Sequence, residues 1–273
     1  MHALIDGDIF LYEFGSAKTD NGDPLPWPFV VSRLDARIRN ILEAVGADTH
    51  QIYLTGKGNF REQVATIKPY KGNRPKDKPY WHQHLTDFLV YHRDAIVIEG
   101  MEADDAVGIA QYQNRFVVGG HLGKSLGVDT VICSRDKDLH MIPGWHYTWP
   151  AGKQKEQPLW WQNETNALRC FYKQLLTGDP VDNIPGLYGV GKSSRLCSTV
   201  DECDSELEMF QVVAEAYRLR FGSYWDQFMG ENGCLLWIKR GDEDGGGNEW
   251  AKRFYKLAEE MSRTQTEERE GVV

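Results

Sequence analysis

The sequence predicts an α/β protein whose central, mainly parallel sheet is flanked by helices, and two observations predict it. Short, uninterrupted apolar runs recur through the first half of the chain, as expected for strands buried on both faces of a parallel sheet. Segments with helical periodicity separate these runs. After about Trp161 the apolar runs stop, so we expect a helical C-terminal region to follow the α/β core.

Four strands are predicted, and each gives way to a polar residue at its carboxyl end. In order, the runs and the residues that follow them are 3–5 with Asp6, 52–54 with Thr55, 96–98 with Glu99, and 130–133 with Ser134. Ligands of parallel sheets bind outside the carboxyl ends of the strands. We therefore expect functional residues just after these runs.

Helices are predicted between and after the strands. Ser32 offers a capping side chain to a helix that Gly46 ends, and a second helix runs from Glu102 to Asn114. Further helices are predicted at 165–177, 192–200, 205–221 and 224–239. The expected domains are an α/β core at 1–162, a helical region at 163–240 and an acidic tail or helix at 241–273.

The composition is that of an ordinary globular protein, with 41% hydrophobic and 26% charged residues among 273. No apolar run approaches the length of a membrane span, and the first residues lack the basic and apolar segments of a secretion signal. The five cysteines form no Cys-x-x-Cys pair and are odd in number, which favours reduced thiols over disulfides or a zinc finger. We therefore expect a cytoplasmic monomer without a membrane partner.

The net charge of -9 would argue against nucleic acid only if the charge were evenly spread, and it is not. The stretch from Lys57 to Lys78 contains seven basic and two acidic residues, whereas the stretch from Asp242 to the end contains nine acidic and five basic residues. The basic stretch is a candidate phosphate-binding region. The charged end, with glycines at 245–247, is expected to be a solvated tail.

Acidic residues are concentrated just after predicted strands and at the start of predicted helices. The set is Asp6, Asp8, Glu102, Asp104, Asp105, Asp136, Asp138, Asp179 and Asp182. Each has an ordinary structural explanation when taken alone, as part of a turn, a helix start or a solvated loop. Gathered in one place they would repel each other, so a fold that converges them needs a cation. Because no Cys or His lies among them, the ligands suit Mg²⁺ or Mn²⁺ rather than zinc.

The string from Gly186 to Ser193 matches the G-x-x-x-x-G-K-[ST] pattern of ATP-binding phosphate loops. Such a loop must follow a buried strand, but residues 178–185 contain two prolines and no β-branched run. We therefore expect a helix-hairpin-helix motif, whose backbone N–H groups hold a phosphodiester without reading bases. The expected contacts are Gly189, Gly191, Lys192 and Ser193. A buried strand before Gly186 would instead favour an ATPase with an ATP-binding loop.

Together these residues resemble the 5′-nuclease superfamily, the flap endonucleases and 5′→3′ exonucleases of phage and of bacterial DNA polymerase I. The likeness covers roughly residues 1 to 200, in the family's order and spacing. Its most specific parts are YKGNR at 70–74, EADD at 102–105, DKDL at 136–139 and GDPVDNIPG at 178–186.

The resemblance implies a PIN-like 5′-nuclease fold with a helical arch near 68–92. It implies a 5′→3′ exonuclease or flap endonuclease that hydrolyses phosphodiester bonds in DNA with two divalent ions, Mg²⁺ or Mn²⁺. The implied metal ligands are Asp6, Glu102, Asp104, Asp105, Asp136, Asp138, Asp179 and Asp182.

The resemblance also implies roles for the basic stretch and the hairpin. Lys71 and Arg74 would face the scissile phosphate, with Tyr70 and Lys76 as further substrate contacts. The hairpin would grip duplex DNA with a monovalent cation such as K⁺. The partners would be DNA with 5′ ends, flaps or nicks, and also RNA primers, in a bacterial or phage-infected cytoplasm.

Two positions depart from the family's pattern. Thr55 stands where many relatives carry an Asp after the second strand, and the sequence leaves open whether Asp8 supplies that charge. Lys192 comes one place earlier than the usual hairpin lysine. Three alternatives stay open, namely a PIN-type ribonuclease, the ATPase, and a non-catalytic nucleic-acid-binding protein.

Overall fold

A computed structural model describes residues 1–75, 77–118, 121–241 and 249–270. These residues form two compact units, each described separately below. The first unit takes those within Met1–Asn59, Pro75–Asn163 and Ile238–Asp242, and the second takes those within Phe60–Arg74, Glu164–Trp237 and Glu243–Val273. The stretch 60–74, which carries most of the basic residues, therefore groups with the later helices.

In chain order the elements are β1 (His2–Asp6), α1 (Asp8–Glu13), α2 (Trp27–Val45), β2 (Thr49–Thr55), α3 (Arg61–Val64), α4 (His82–Arg93), β3 (Ile96–Ile98), α5 (Ala103–Gln113), β4 (Arg115–Val118), β5 (His121–Ser125), β6 (Thr130–Cys133), β7 (Gly144–Thr148), β8 (Gln157–Gln162), α6 (Glu164–Thr177), β9 (Gly178–Asp179), β10 (Ile184–Pro185), α7 (Arg195–Glu202), α8 (Glu206–Phe221), α9 (Trp225–Leu236) and α10 (Glu249–Glu270). Short 3-10 helices lie at Lys137–Met141 and Gly222–Tyr224.

The first unit is built on a sheet with the strand order β3-β2-β1-β6-β7-β8. Its strands pair in parallel except for β8, which pairs antiparallel with β7 at the edge. The central strands β1 and β6 are buried at every residue, as their continuous apolar sequences predict. The predicted fold class, a mainly parallel sheet flanked by helices, is confirmed.

The four predicted strands are present as β1, β2, β3 and β6, whereas β7 and β8 were not predicted. The strand β7 reads Gly-Trp-His-Tyr-Thr, and β8 reads Gln-Pro-Leu-Trp-Trp-Gln. Neither is an uninterrupted aliphatic run, so the pattern that identified the central strands does not find them. Their Trp145 and Trp161 rings contact each other across the pair, at a centroid distance of 5.2 Å.

The helix predicted from Ser32 begins earlier, at Trp27. Pro28 lies in its first turn, where a missing N–H costs no helical hydrogen bond, so the proline does not delay the start. The predicted end at Gly46 is confirmed, because that residue adopts the left-handed conformation with a φ of 61°. In the stretch 68–92, predicted to form an arch, α4 supplies a helix and residues 70–74 form turns.

The second unit is helical, with α6, α8, α9 and α10 packed around buried aromatic rings. The charged end of the chain was expected to be a solvated tail, and this is wrong for α10. Its apolar residues Trp250, Phe254, Leu257 and Met261 recur at helical spacing and are all buried. The glycines at 245–247 lie outside the described residues. Within the described ranges, no helix combines the length and apolarity that crossing a membrane requires.

Candidate functional site

The carboxyl ends of β1 and β6 bring three acidic residues of the first unit together. Asp6 ends β1, and its Oδ2 accepts a hydrogen bond from Ser134 Oγ at 3.0 Å, just beyond β6. Its Oδ1 accepts from the backbone N–H of Asp8 at 3.2 Å. The same Ser134 hydroxyl accepts from the backbone N–H of Asp136 at 2.9 Å. The parallel pairing of β1 with β6 therefore brings Asp6 to Ser134 and Asp136, and Asp8 is bonded to Asp6 as well.

The electrostatics of this group favour a cation. Asp6 is only 4% exposed. Burial, followed by the charges of Asp8 and Asp136, raises the pKa of Asp6 to about 8. A carboxyl group in this position resists ionisation unless positive charge is supplied nearby. Together with the oxygen-only donor set, this fits a hard divalent cation.

The remaining predicted ligands of the first unit lie in two local structures. Asp136 caps the 3-10 helix Lys137–Met141, accepting from Asp138 N at 2.8 Å, and Asp138 contacts the Lys137 ammonium group. As the side chains stand, the part of the chain that the structure describes has no three His, Cys, Asp or Glu arranged to hold a metal ion. Several of these carboxylates are bonded instead to nearby backbone N–H groups, which compete for the same oxygen atoms.

The start of α5 carries Glu102, Asp104 and Asp105. Glu102 and Asp105 form a reciprocal capping box, in which Asp105 Oδ2 accepts from Glu102 N at 3.1 Å. Asp105 is fully buried, and its Oδ1 accepts from Lys239 N at 3.1 Å. Asp104 is only partly buried. Asp105 thus has a structural role at this helix start in addition to any role as a ligand.

Thr55 and Asp8 are joined by a hydrogen bond at the end of β2. The Thr55 hydroxyl accepts a hydrogen bond from Ala103 N at 2.8 Å, so it helps to cap α5. Asp8 Oδ1 accepts from the backbone N–H of Thr55 at 3.0 Å. The carboxylate of Asp8 therefore lies directly at the end of β2.

In the second unit, the loop between β9 and β10 carries Asp179 and Asp182. Asp179 is 4% exposed, and its Oδ1 accepts from the backbone N–H of Val181 at 2.8 Å and of Asp182 at 3.4 Å. Its Oδ2 accepts from Gln174 Nε2 at 3.1 Å. Asp179 therefore organises the loop that presents Asp182.

Asp182 contacts the positively charged residues of the second unit that were predicted to be catalytic. Its carboxylate accepts from the Tyr70 hydroxyl at 2.9 Å and from the Arg74 guanidinium group, and it lies 3.8 Å from Lys71 Nζ. Lys71 Nζ also lies 5.0 Å from the centre of the Tyr70 ring. The structure thus brings Tyr70, Lys71 and Arg74 together on one carboxylate, whereas Lys76 lies outside the described residues.

The residues before Gly186 do not form the buried strand that an ATP-binding loop requires. They form β10, a two-residue strand that pairs antiparallel with β9. Gly178 and Gly186 face each other so closely that a Cβ on Gly186 would lie 2.2 Å from Gly178 N. Only glycine fits at this close approach of the two backbones. Among the described residues, the buried strand that the ATPase interpretation requires before Gly186 is absent.

The loop before α7 exposes the four residues predicted to contact a phosphate, Gly189, Gly191, Lys192 and Ser193. Within the described part of the chain, none of their backbone N–H groups donates a hydrogen bond. Ser194 caps α7 by accepting from Cys197 N at 3.3 Å. The loop therefore offers free N–H donors next to a helix start, a combination that suits an anion.

Some residues of these groups were not identified from the sequence. Ser134 links Asp6 to Asp136, and it directly follows a predicted strand, so its position at a carboxyl end was a usable signal. Asn59 donates to Glu102 Oε1 at 2.9 Å. In the loop before α7, Tyr188 is 90% exposed and lies beneath Arg220, whose guanidinium carbon is 5.9 Å from the ring centre. No local pattern marks the last two contacts.

Comparison with known proteins gives matches of two kinds. No family model matches the chain. DNA polymerase I of Caldicellulosiruptor bescii is 27% identical over 170 residues, which are 57% of this chain and 18% of that protein. The chain thus spans less than a fifth of the length of this curated relative.

Among solved structures, a flap endonuclease of bacteriophage T5, D15, in a pseudo-enzyme-product complex with DNA and metal ions, has a TM-score of 0.60 at 15% identity. The alignment covers 94% of this chain and 99% of that one. The T5 D15 protein co-crystallised with metal ions has a TM-score of 0.54, at the same identity and coverage. The likeness predicted from the sequence is thereby confirmed at the level of the fold, which this chain shares with the T5 D15 flap endonuclease.

Proposed function

We propose that the chain is a divalent-metal-dependent nuclease that hydrolyses phosphodiester bonds in DNA, acting as a 5′→3′ exonuclease and a structure-specific flap endonuclease. The observation that carries this proposal is the convergence of Asp6, Asp8 and Asp136 at the carboxyl ends of β1 and β6. A fold shared with a flap endonuclease that was crystallised with DNA and metal ions supports it.

The metal ligands in this proposal are the acidic residues named from the sequence, with Asp8 added. Those of the first unit are Asp6, Asp8, Glu102, Asp104, Asp105, Asp136 and Asp138. Asp179 and Asp182 belong to the proposed set on the strength of the sequence resemblance. Two bound Mg²⁺ or Mn²⁺ ions would supply a water of lowered pKa and positive charge for the reacting phosphate. A monovalent cation at the hairpin stays part of the proposal.

The basic residues act on the phosphate itself. The Lys71 ammonium group supplies positive charge where negative charge grows during phosphodiester cleavage. Arg74 presents a planar fork that holds two oxygen atoms of one phosphate. Asp182 pairs with both groups and keeps them on one side of the same loop. The free N–H groups near Gly189 grip duplex DNA without reading its bases.

The alternatives have less support. An ATPase needs a buried strand before Gly186, and the described residues provide only β10 there. A PIN-type ribonuclease normally lacks the helical region that α6 to α9 form here. A non-catalytic nucleic-acid-binding protein would have no reason to gather three carboxylates at the ends of β1 and β6, because they repel the phosphates of its ligand.

A direct assay tests the proposal. The pure protein is incubated with 5′-labelled and 3′-labelled duplex and flap substrates, of DNA and of RNA, with Mg²⁺ or with EDTA. We expect cleavage of DNA from the 5′ side in Mg²⁺, no cleavage in EDTA or with Asp136→Asn, and no effect of ATP. Cleavage of RNA alone would favour the PIN-type ribonuclease, and wild-type turnover by Asp136→Asn would remove this residue from the metal site.

The role of Lys71 gives a second test. Lys71→Ala should lower kcat by about 10²- to 10³-fold while DNA binding changes little, since the charge that Lys71 meets grows only in the transition state. Lys71→Arg, which keeps the positive charge, is the matched control and should retain more of the rate. A change confined to KM would make Lys71 a simple binding residue.

A further inference from the structure

Two stretches of the second unit that are far apart in the sequence are tied together by hydrogen bonds. One is the turn 69–74, and the other is the loop 180–183 between β9 and β10. The bonded pairs are Lys71 N to Asp182 O at 2.9 Å, Asn73 Nδ2 to Pro180 O at 2.7 Å, Asn183 Nδ2 to Pro69 O at 2.9 Å, and Tyr70 Oη to Asp182 Oδ2 at 2.9 Å. We call these two stretches the clasp.

Two asparagines link the clasp in opposite directions. Asn73 donates from the turn to the carbonyl of Pro180, 107 residues away, and Asn183 donates from the loop to the carbonyl of Pro69, 114 residues away. Both amides bind backbone carbonyls, so each bond fixes the main chain of the opposite stretch. The pair therefore sets the position of the turn that carries Lys71 and Arg74.

The backbone at Lys71 shows why such bonds are needed. Lys71 adopts a φ of 54°, in the left-handed region that a long side chain rarely enters. A residue in such a conformation costs about 1 kcal/mol or more and persists only when its surroundings hold it there. Asn183 also has a positive φ, of 61°, but asparagine tolerates this conformation. The clasp thus holds Lys71 in a conformation that it would not adopt in a free turn.

We propose that Asn73 and Asn183 are positioning residues for the nuclease reaction, which orient Lys71 and Arg74 by fixing the main chain of the clasp. This inference rests on the proposed function. The left-handed backbone decides the direction in which the Lys71 side chain leaves the main chain. Errors of about 1 Å in the position of such a group cost about 100-fold in rate, so two bonds between distant stretches have kinetic consequences.

The experiment measures kcat and KM on the labelled flap substrate for Asn73→Ala and Asn183→Gly. Glycine accepts the positive φ of residue 183, so this variant removes the amide without backbone strain. Asn232→Ala is the matched control, because Asn232 is buried in the same unit and also donates to a proline carbonyl, that of Pro185, but lies outside the clasp. All rates are measured well below the unfolding temperature of each variant.

We expect kcat to fall about 10- to 100-fold in both clasp variants with KM nearly unchanged, whereas Asn232→Ala should lose stability and keep its kcat. In a Lys71→Ala background, Asn73→Ala should lower kcat by much less than in the wild type, since the group it positions is gone. Hydrogen exchange at the Lys71 amide, which donates to Asp182, should become faster in both clasp variants.

The outcomes separate the inference from the proposed function. A wild type that cleaves, with clasp variants that keep its kcat, would refute the positioning role and leave the nuclease intact. Equal losses of kcat from Asn73→Ala in the wild type and in the Lys71→Ala background would also refute it, because the asparagine would then act independently of Lys71. A wild type that cleaves no substrate would overturn the proposed function and the inference together.

Discussion

Replacing Asp6 with Asn should remove most of the pH dependence that this residue gives to the stability of the metal-free protein. Asp6 is 4% exposed, and its pKa is raised to about 8 by burial and by the carboxylates of Asp8 and Asp136. In the unfolded chain an aspartate titrates near pH 4. A pKa that is raised in the folded state gives stability that is present below about pH 4 and is lost as the pH rises through about 8.

The magnitude follows from the size of the shift. Each pH unit over which the folded protein holds a proton that the unfolded chain has released changes the free energy of unfolding by about 1.4 kcal/mol. Between about pH 5 and pH 8 this amounts to a few kcal/mol, shared between Asp6 and the carboxylates that interact with it. Asn at this position does not titrate, but it leaves a poorer partner for the Ser134 hydroxyl, at a cost of about 1 kcal/mol. The variant should therefore gain stability relative to the wild type as the pH rises.

Urea unfolding in EDTA at about pH 5, 7 and 9 measures this effect. The control is Asp48→Asn, which removes a carboxylate whose side chain is 93% exposed and should leave the pH dependence unchanged. If the free energies of unfolding of Asp6→Asn and wild type changed in parallel across this pH range, the raised pKa of Asp6 would be refuted. With Mg²⁺ in place of EDTA, the wild type should regain stability and Asp6→Asn should regain less, because it lacks one proposed ligand.

Three more substitutions test other parts of the structure. Gly186→Ala should lower the free energy of unfolding in urea by about 3 kcal/mol or more, because the added Cβ would lie 2.2 to 2.6 Å from backbone atoms. Gly191→Ala is the control and should be nearly neutral, because the space around Gly191 is open. Asp105→Asn should lower the free energy of unfolding by about 1 to 3 kcal/mol, since both carboxylate oxygens accept hydrogen bonds from backbone N–H groups and an amide can accept with only one atom. Unchanged stability would contradict the role of this residue at the start of α5. Lys192→Ala should reduce the salt dependence of duplex binding by about one phosphate contact, and ATP hydrolysis that disappears in this variant would restore the ATPase.

A strand or helix of this protein could be predicted from the sequence when neighbouring residues alone form its characteristic pattern. The apolar runs that became β1, β2, β3 and β6 are local signals, and Asp6, Asp8 and Asp136 lie close together at the carboxyl ends of β1 and β6. The strands β7 and β8 are built from aromatic and polar residues, so the same pattern missed them. A helix was one of the two expectations for 241–273, but the charge of this segment hid the buried face of α10, which four apolar residues at helical spacing form.

The candidate site divides in the same way. The sequence by itself determined the fold class, the kinds of side chain available and the strings that carry the family resemblance, because these depend on residue type and near-neighbour spacing. Only the tertiary structure decided that Asp8 serves the end of β2, that Ser134 joins Asp6 to Asp136, and that the turn carrying Lys71 is held by Asn183. These contacts join residues 47, 128 and 114 positions apart. Such partners are brought together by strand pairing and loop packing over the whole chain, and nothing in a local stretch of sequence names them.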